Sequence, residues 1–154
     1  KRLAKAVAGQ GGGLAGWEST EITRIESGIP RFGSDMDGRT LPLEANLESR
    51  AISYSKGCYI GQEIIARIRT YGKVNRTLVG YRLDAELAES ATLGTKLIDE
   101  SGKAAATITS VAHSPAHGPI ALGLAKRTRA ELGQVLTAES PATGQATVAS
   151  LPFS

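Results

Sequence analysis

A chain of 154 residues, 41% apolar and 21% charged, is long enough to bury one ordinary core and has the balance of a globular protein rather than a disordered tail. No apolar run approaches the roughly 18 residues of a membrane-spanning helix, and the net charge of +3 is too mild to imply a polyanionic partner by itself. The single cysteine excludes an internal disulfide and an iron–sulfur cluster held by this chain alone, and it suits a reducing, cytoplasmic setting.

Residues 1–9 are basic with a short apolar part and lack the apolar core of a signal peptide. They read as the end of a helix stopped by Gly9 and Gly11-Gly12-Gly13, in a chain resembling the carboxy-terminal portion of something longer. That glycine run lacks the lysine and following helix of a phosphate-binding loop. Residues 14–27 predict a helix with Ile22, Ile25 and Ile29 as a buried stripe, Trp17 as a packing residue, and Gly28 with Pro30 as the stop. Residues 30–40 form a polar loop. Its Asp35 and Asp37 superficially match a calcium loop, but the required glutamate is absent and a structured turn accounts for them better. Residues 41–47 lead to a short strand-like stretch at 51–54.

Next comes Lys56-Gly57-Cys58-Tyr59-Ile60-Gly61-Gln62-Glu63, followed by a helical pattern over 64–69. A thiol just ahead of a helix start, two residues from a lysine, is a setting that favours the thiolate. The alternative is a small buried apolar residue. Arg67, Arg69, Lys73, Arg76 and Arg82 then occur with no acidic residue between Glu63 and Asp84, a patch for an anionic ligand or simply a solvated basic face.

From residue 74 onward, short apolar or alternating runs at 76–83, 95–98, 104–111, 120–125, 134–137 and 145–149 are separated by Gly, Pro, Ser and Asp clusters. That texture predicts a compact antiparallel barrel or sandwich. His113 and His117 are four apart, but Pro115 and Gly118 preclude a helix that would align them and no third ligand type accompanies them; they read as loop residues, with no metal site.

The octapeptide at 56–63 closely resembles the K-G-C-Y-x-G-Q-E signature of YgfZ-type folate-binding proteins, relatives of the glycine-cleavage aminomethyltransferase (T-protein). Arg24-Ile25-Glu26-Ser27-Gly28-Ile29-Pro30 is similar to their R-I/L-E-A/S-G-x-P segment, and the runs around 108–123 and 151–153 resemble their carboxy-terminal barrel. Aminomethyltransferases proper read more like F-I-G-R/K-E at the signature, without the cysteine, so Cys58 and Gln62 put the resemblance on the YgfZ side; they often carry tyrosine where Phe32 stands, so any hydroxyl contact made there is lost.

The resemblance implies an α+β fold: residues 1–73 as the remnant of a folate-binding α/β domain, and 74–154 as a six-stranded antiparallel β-barrel. It implies tetrahydrofolate as cofactor, with Glu26 accepting hydrogen bonds from the pterin edge, and a role in maintaining or repairing iron–sulfur enzymes. Lys56, Cys58, Tyr59 and Gln62 belong to the functional signature, Cys58 being its reactive member. Charge adds Arg67, Arg69 and Lys73 as partners for the anionic glutamate tail of folate. The implied partners are folate, an amino-terminal segment of the same protein that completes the cavity, and iron–sulfur proteins.

Two other readings compete. In a true aminomethyltransferase a one-carbon unit moves to tetrahydrofolate with help from an aspartate in an earlier segment that this chain does not contain, so the chain alone is expected to be non-catalytic. A basic RNA-interaction module suits small barrels, but four Tyr, two Phe and one Trp scattered along the chain make a poor stacking platform.

Overall fold

The computed structural model describes residues 2–72 and 74–154, and of Tyr71 the backbone only. The elements in chain order are α1 (Arg2–Gly9), α2 (Trp17–Glu26), α3 (Glu48–Ala51), α4 (Gln62–Tyr71), β1 (Arg76–Leu83), α5 (Ala85–Ser90), β2 (Lys96–Ile98), β3 (Ala104–Ser114), β4 (Gly118–Lys126), a single 3-10 turn at Arg127–Arg129, β5 (Val135–Ala138) and β6 (Gln145–Ala149). The strands close into an antiparallel barrel in the order β1-β4-β3-β2-β5-β6. The fold is α+β, as expected.

Strand alternation sorts the apolar residues into two clusters. Val79, Tyr81 and Leu83 of β1, Ala121 and Ala125 of β4, Leu136 of β5, and Ala146 and Val148 of β6 fill the barrel, with Leu87 of α5 packed in the same cluster. The intervening residues face outward: Leu78 of β1 and Ile120 and Leu122 of β4 cover Ile25 of α2 and Phe153 of the tail. The barrel interior is thus filled by side chains rather than open to a ligand. Gly123 leaves no room for a side chain, since a Cβ there would lie 2.6 Å from the Thr107 carbonyl and 2.9 Å from the Tyr81 ring.

Two pieces outside the barrel are built onto it. Residues 44–46 occupy the edge of β1 that β6 leaves uncovered: Leu78 N–H donates to the Glu44 carbonyl (2.7 Å) and Asn46 Nδ2 donates to the Leu78 carbonyl (2.8 Å). Asn46 takes a left-handed φ of 56°, which asparagine tolerates well. The Glu44 side chain, also buried, accepts from Arg76 Nε at 3.3 Å. In the tail, Leu151 and Phe153 lie over Gly80, where a Cβ would meet both at under 3 Å, and Arg82 donates to the carbonyls of His117 (3.2 Å) and Ser154 (2.9 Å).

Several local expectations are corrected. The helix predicted over 14–27 starts at Trp17 behind Gly16, and of its isoleucine stripe Ile25 is buried while Ile22 and Ile29 are half-buried. Trp17 is not a packing residue: it is 69% exposed, with the Arg31 guanidinium 5.3 Å from its ring centroid. Residues 51–54 form no strand; α3 ends at Ala51, and the closed barrel offers no free ladder for Ile52 to join. His113 belongs to β3, opposite Pro119, and only His117 lies in the connecting turn. The helix α5 was not foreseen.

Candidate functional site

Glu26 is the last residue of α2, half-buried against the barrel. Its backbone carbonyl accepts from Phe153 N–H (2.8 Å), which ties the end of the helix to the tail. Its Oε1 accepts from the Ser114 hydroxyl at 2.5 Å, and Ser114, at the end of β3, is 2% exposed. No hydrogen bond or ion pair to Oε2 exists among the described residues. The outcome is a carboxylate gripped on one oxygen and available on the other.

A buried ionic cluster holds α2 in that position. Asp35, 1% exposed, accepts from Arg24 Nη1 (2.7 Å), Arg31 N–H (2.9 Å), Thr109 Oγ1 (2.5 Å) and Ser110 Oγ (2.7 Å). Arg24 Nη2 also donates to Ser110 Oγ (2.7 Å) and to Glu21 (2.8 Å). The hydrogen bond from Arg24, reinforced by the nearby charge of Arg31, holds Glu21 below the usual carboxylate range. Adjacent strand residues normally face opposite ways. Here the register slips between Ile108 and Ser110, so Thr109 is an extra residue and both hydroxyls reach Asp35.

The signature segment is separate. Cys58 is exposed, and no hydrogen bond or ion pair reaches its sulfur among the described residues. Lys56 does not turn to it; its ammonium stands 4.6 Å over the Tyr59 ring. Gly61, with φ 88°, supplies the left-handed turn into α4, and Gln62 Oε1 accepts from Tyr59 N–H at 3.4 Å. Tyr59, Gln62 and Arg69 line one cleft of about 360 Å³ with Tyr54, whose ring carries the Arg69 guanidinium at 4.0 Å. Arg67 points elsewhere and pairs with Glu63 at 3.5 Å. Lys73 lies outside the described residues.

The structure therefore brings Tyr59, Gln62 and Arg69 together and leaves Glu26 apart from them; no hydrogen bond or ion pair joins Glu26 to residues 52–72 among those described. The basic run divides in the same way, because Arg76 pairs with Glu44 and Arg82 holds the tail. Sequence reasoning missed Ser114 and the structural role of Asp35. Both make local turn contacts, Asp35 with Arg31 N–H and Ser114 with the N–H groups of Ala116 and His117, but the partners that matter to the site lie more than 70 residues away in sequence.

No protein-family model matches the chain. It is 32% identical over 98% of its length to an aminomethyltransferase of Saccharopolyspora erythraea, covering 41% of that protein. It is 33% identical to the tRNA-modifying protein YgfZ of Edwardsiella ictaluri, over 84% of this chain and 40% of that one. Over a shorter stretch, 44% of this chain and 19% of the relative, it is 41% identical to the mouse mitochondrial iron–sulfur cluster assembly factor IBA57. The crystal structure of the glycine cleavage system aminomethyltransferase T from Bartonella henselae superposes with a TM-score of 0.81 over 99% of this chain and 44% of that one, at 23% identity.

The chain belongs to the aminomethyltransferase–YgfZ superfamily. The fold is that of the superfamily's carboxy-terminal barrel with the helices that precede it. The chain spans less than half the length of the relatives it matches throughout. Among the described residues, no helix is long and apolar enough to cross a membrane.

Proposed function

We propose that this chain is the carboxy-terminal part of a YgfZ-type protein that binds tetrahydrofolate and serves iron–sulfur cluster assembly or repair. The observation that carries this reading is Cys58: the one cysteine stands exposed within a complete K-G-C-Y-x-G-Q-E segment. A buried position would have made it a packing residue. The names of the YgfZ and IBA57 relatives support the same side of the superfamily.

Glu26 fits the pterin, because a half-buried carboxylate with an available oxygen matches the donor edge of an amino-pyrimidine. Residues 1–73 then form the end of a larger folate-binding domain. In this reading Lys56, Tyr59 and Gln62 act as signature residues near the cofactor and Arg69, in the same cleft, meets its anionic tail, with Arg67 joining it by exchanging its pair with Glu63 for the tail. The amino-terminal segment completes the cavity and supplies the contacts that connect Glu26 with the cleft at Tyr59. Tetrahydrofolate would supply one-carbon or pterin redox chemistry; this chain's part is to bind and orient it.

Calorimetric titration of tetrahydrofolate into the protein carrying its amino-terminal segment tests the assignment. Glu26→Ala is expected to weaken binding by about 1.5–3 kcal/mol, the scale of a hydrogen bond to a charged group. No binding by the unaltered protein would reject the folate reading. Separately, Cys58→Ala is expected to fail to restore iron–sulfur enzyme activity in a deletion strain, and full restoration would remove the cysteine from the function.

A further inference from the structure

We infer that Ser114 is a positioning residue that dictates which face the residue-26 side chain turns to its ligand, an inference resting on the folate reading of Glu26. A hydroxyl has one hydrogen to donate and two lone pairs to accept with. At Ser114 both acceptor positions are taken: the backbone N–H groups of Ala116 (3.0 Å) and His117 (2.9 Å) donate to Oγ in the turn between β3 and β4. The hydroxyl hydrogen is left with one direction, toward Glu26 Oε1 at 2.5 Å. With Ser114 2% exposed, water does not compete for it.

Ser114 therefore acts as a one-way donor. Whatever atom of residue 26 faces it must accept, and the other terminal atom is turned toward the ligand. With glutamate, that other atom is an acceptor oxygen, which selects a ligand edge made of N–H donors. With glutamine, the amide oxygen would be drawn to Ser114 and the amide nitrogen, a donor, would be forced onto the ligand. The main chain at residue 26 is fixed independently by Phe153 N–H, so the side chain has little freedom to evade this choice.

The test is titration of tetrahydrofolate into the protein carrying its amino-terminal segment, with melting temperatures measured for every variant. Glu26→Gln is expected to bind at least about tenfold more weakly than wild type, as weakly as Glu26→Ala, while melting close to wild type. Adding Ser114→Ala to Glu26→Gln frees the amide to rotate, so the double variant is expected to bind several-fold more tightly than Glu26→Gln alone. A double variant that binds no more tightly than the single one overturns the inference.

Should Ser114→Ala prevent folding, Glu26→Gln with intact Ser114 still decides. Its forced donor is expected to prefer the 2-oxo analogue of tetrahydrofolate, whose edge offers an acceptor, over tetrahydrofolate itself. An unchanged preference for tetrahydrofolate overturns the inference. If Glu26→Ala and Glu26→Gln both bind tetrahydrofolate like wild type, the folate reading of Glu26 falls first, a pattern distinct from either failure above.

Discussion

At Thr109 the β3 strand carries an extra residue, and the consequence is felt by Glu26. The bulge turns two successive hydroxyls to one side, where they solvate the Asp35 carboxylate that Arg24 needs as a counter-charge. Arg24 stands two residues before Glu26, so the buried pair sets where the last turn of α2 lies. Breaking one side of a buried pair is far more damaging than never having built it, since the remaining charge stays out of water. Asp35→Ala is accordingly expected to cost about 3 kcal/mol, at the low end for such pairs because Glu21 still neutralises Arg24. The urea midpoint measures it, and a loss below about 1 kcal/mol would mean that the cluster relaxes into solvent. The opposite sign is expected in the barrel interior. Tyr81 buries a hydroxyl that has no hydrogen-bond partner among the described residues, and that burial pushes its ionisation above the ordinary tyrosine value. Tyr81→Phe removes a desolvated group and is expected to be neutral or stabilising by up to about 1 kcal/mol in the same titration.

Between elements, the turns carry the ordering information, and that is why the six strands were legible from sequence while some helices were not. Gly, Pro, Ser and Asp clusters mark strand ends by backbone chemistry that acts within four residues. The helix α5 has only six residues, too few for a period to emerge, and its clearest mark is Asp84, whose Oδ1 caps Leu87 N–H at 2.8 Å. Trp17 and residues 51–54 were misread for another reason: propensity describes a residue's preference, not whether a partner surface exists for it. Glu26 and Cys58 could be picked out by resemblance to a family pattern, whereas Ser114 and Asp35 depend on which strands the barrel brings beside α2. The same turns set an acid response. Asp37, receiving the Arg39 backbone N–H and side chain, is lowered from 3.8 to about 2, and Asp99 is lowered by Ser101, the Lys103 backbone and Arg129. Both carboxyls bind protons more readily unfolded than folded, so what they contribute is present above pH 3.8; the share of Asp37 is lost as pH falls toward 2, and that of Asp99, held lower still, goes on being lost beyond it. A chain carrying Asp37→Asn and Asp99→Asn is expected to lose less stability between those limits than wild type, read as a shallower fall in melting temperature; parallel curves would refute the assignment.

For the whole chain, the question is which parts move with the barrel. The helix α2 and residues 30–47 are joined to it by the Arg24–Asp35–Ser110 cluster, by Glu44 with Arg76 and by the shared cluster around Ile25 and Phe153. The segment from Ile52 to Gly72 is different. Cys58, Ile60, Arg67 and Arg69 are exposed, and Ile64 is more than half exposed. Such a stretch opens locally at low cost, whereas α2 opens only by uncovering buried charge and apolar surface. Brief trypsin treatment of the 154-residue chain is therefore expected to cut first at Lys56, Arg67 and Arg69, leaving Arg24 and Arg76 intact. The nicked pieces are expected to elute together on size exclusion, because residues 17–47 remain bound to the barrel after the connection is severed. Separation of the pieces would show that α2 depends on the covalent connection, and Glu26 would then lack the fixed seat that its pairing with Ser114 requires. Co-elution would place Glu26, the carboxylate proposed to face the pterin, with the barrel and Cys58 on a more mobile arm. On the proposed function, tetrahydrofolate would then be held between a fixed Glu26 and the more mobile segment that carries Cys58.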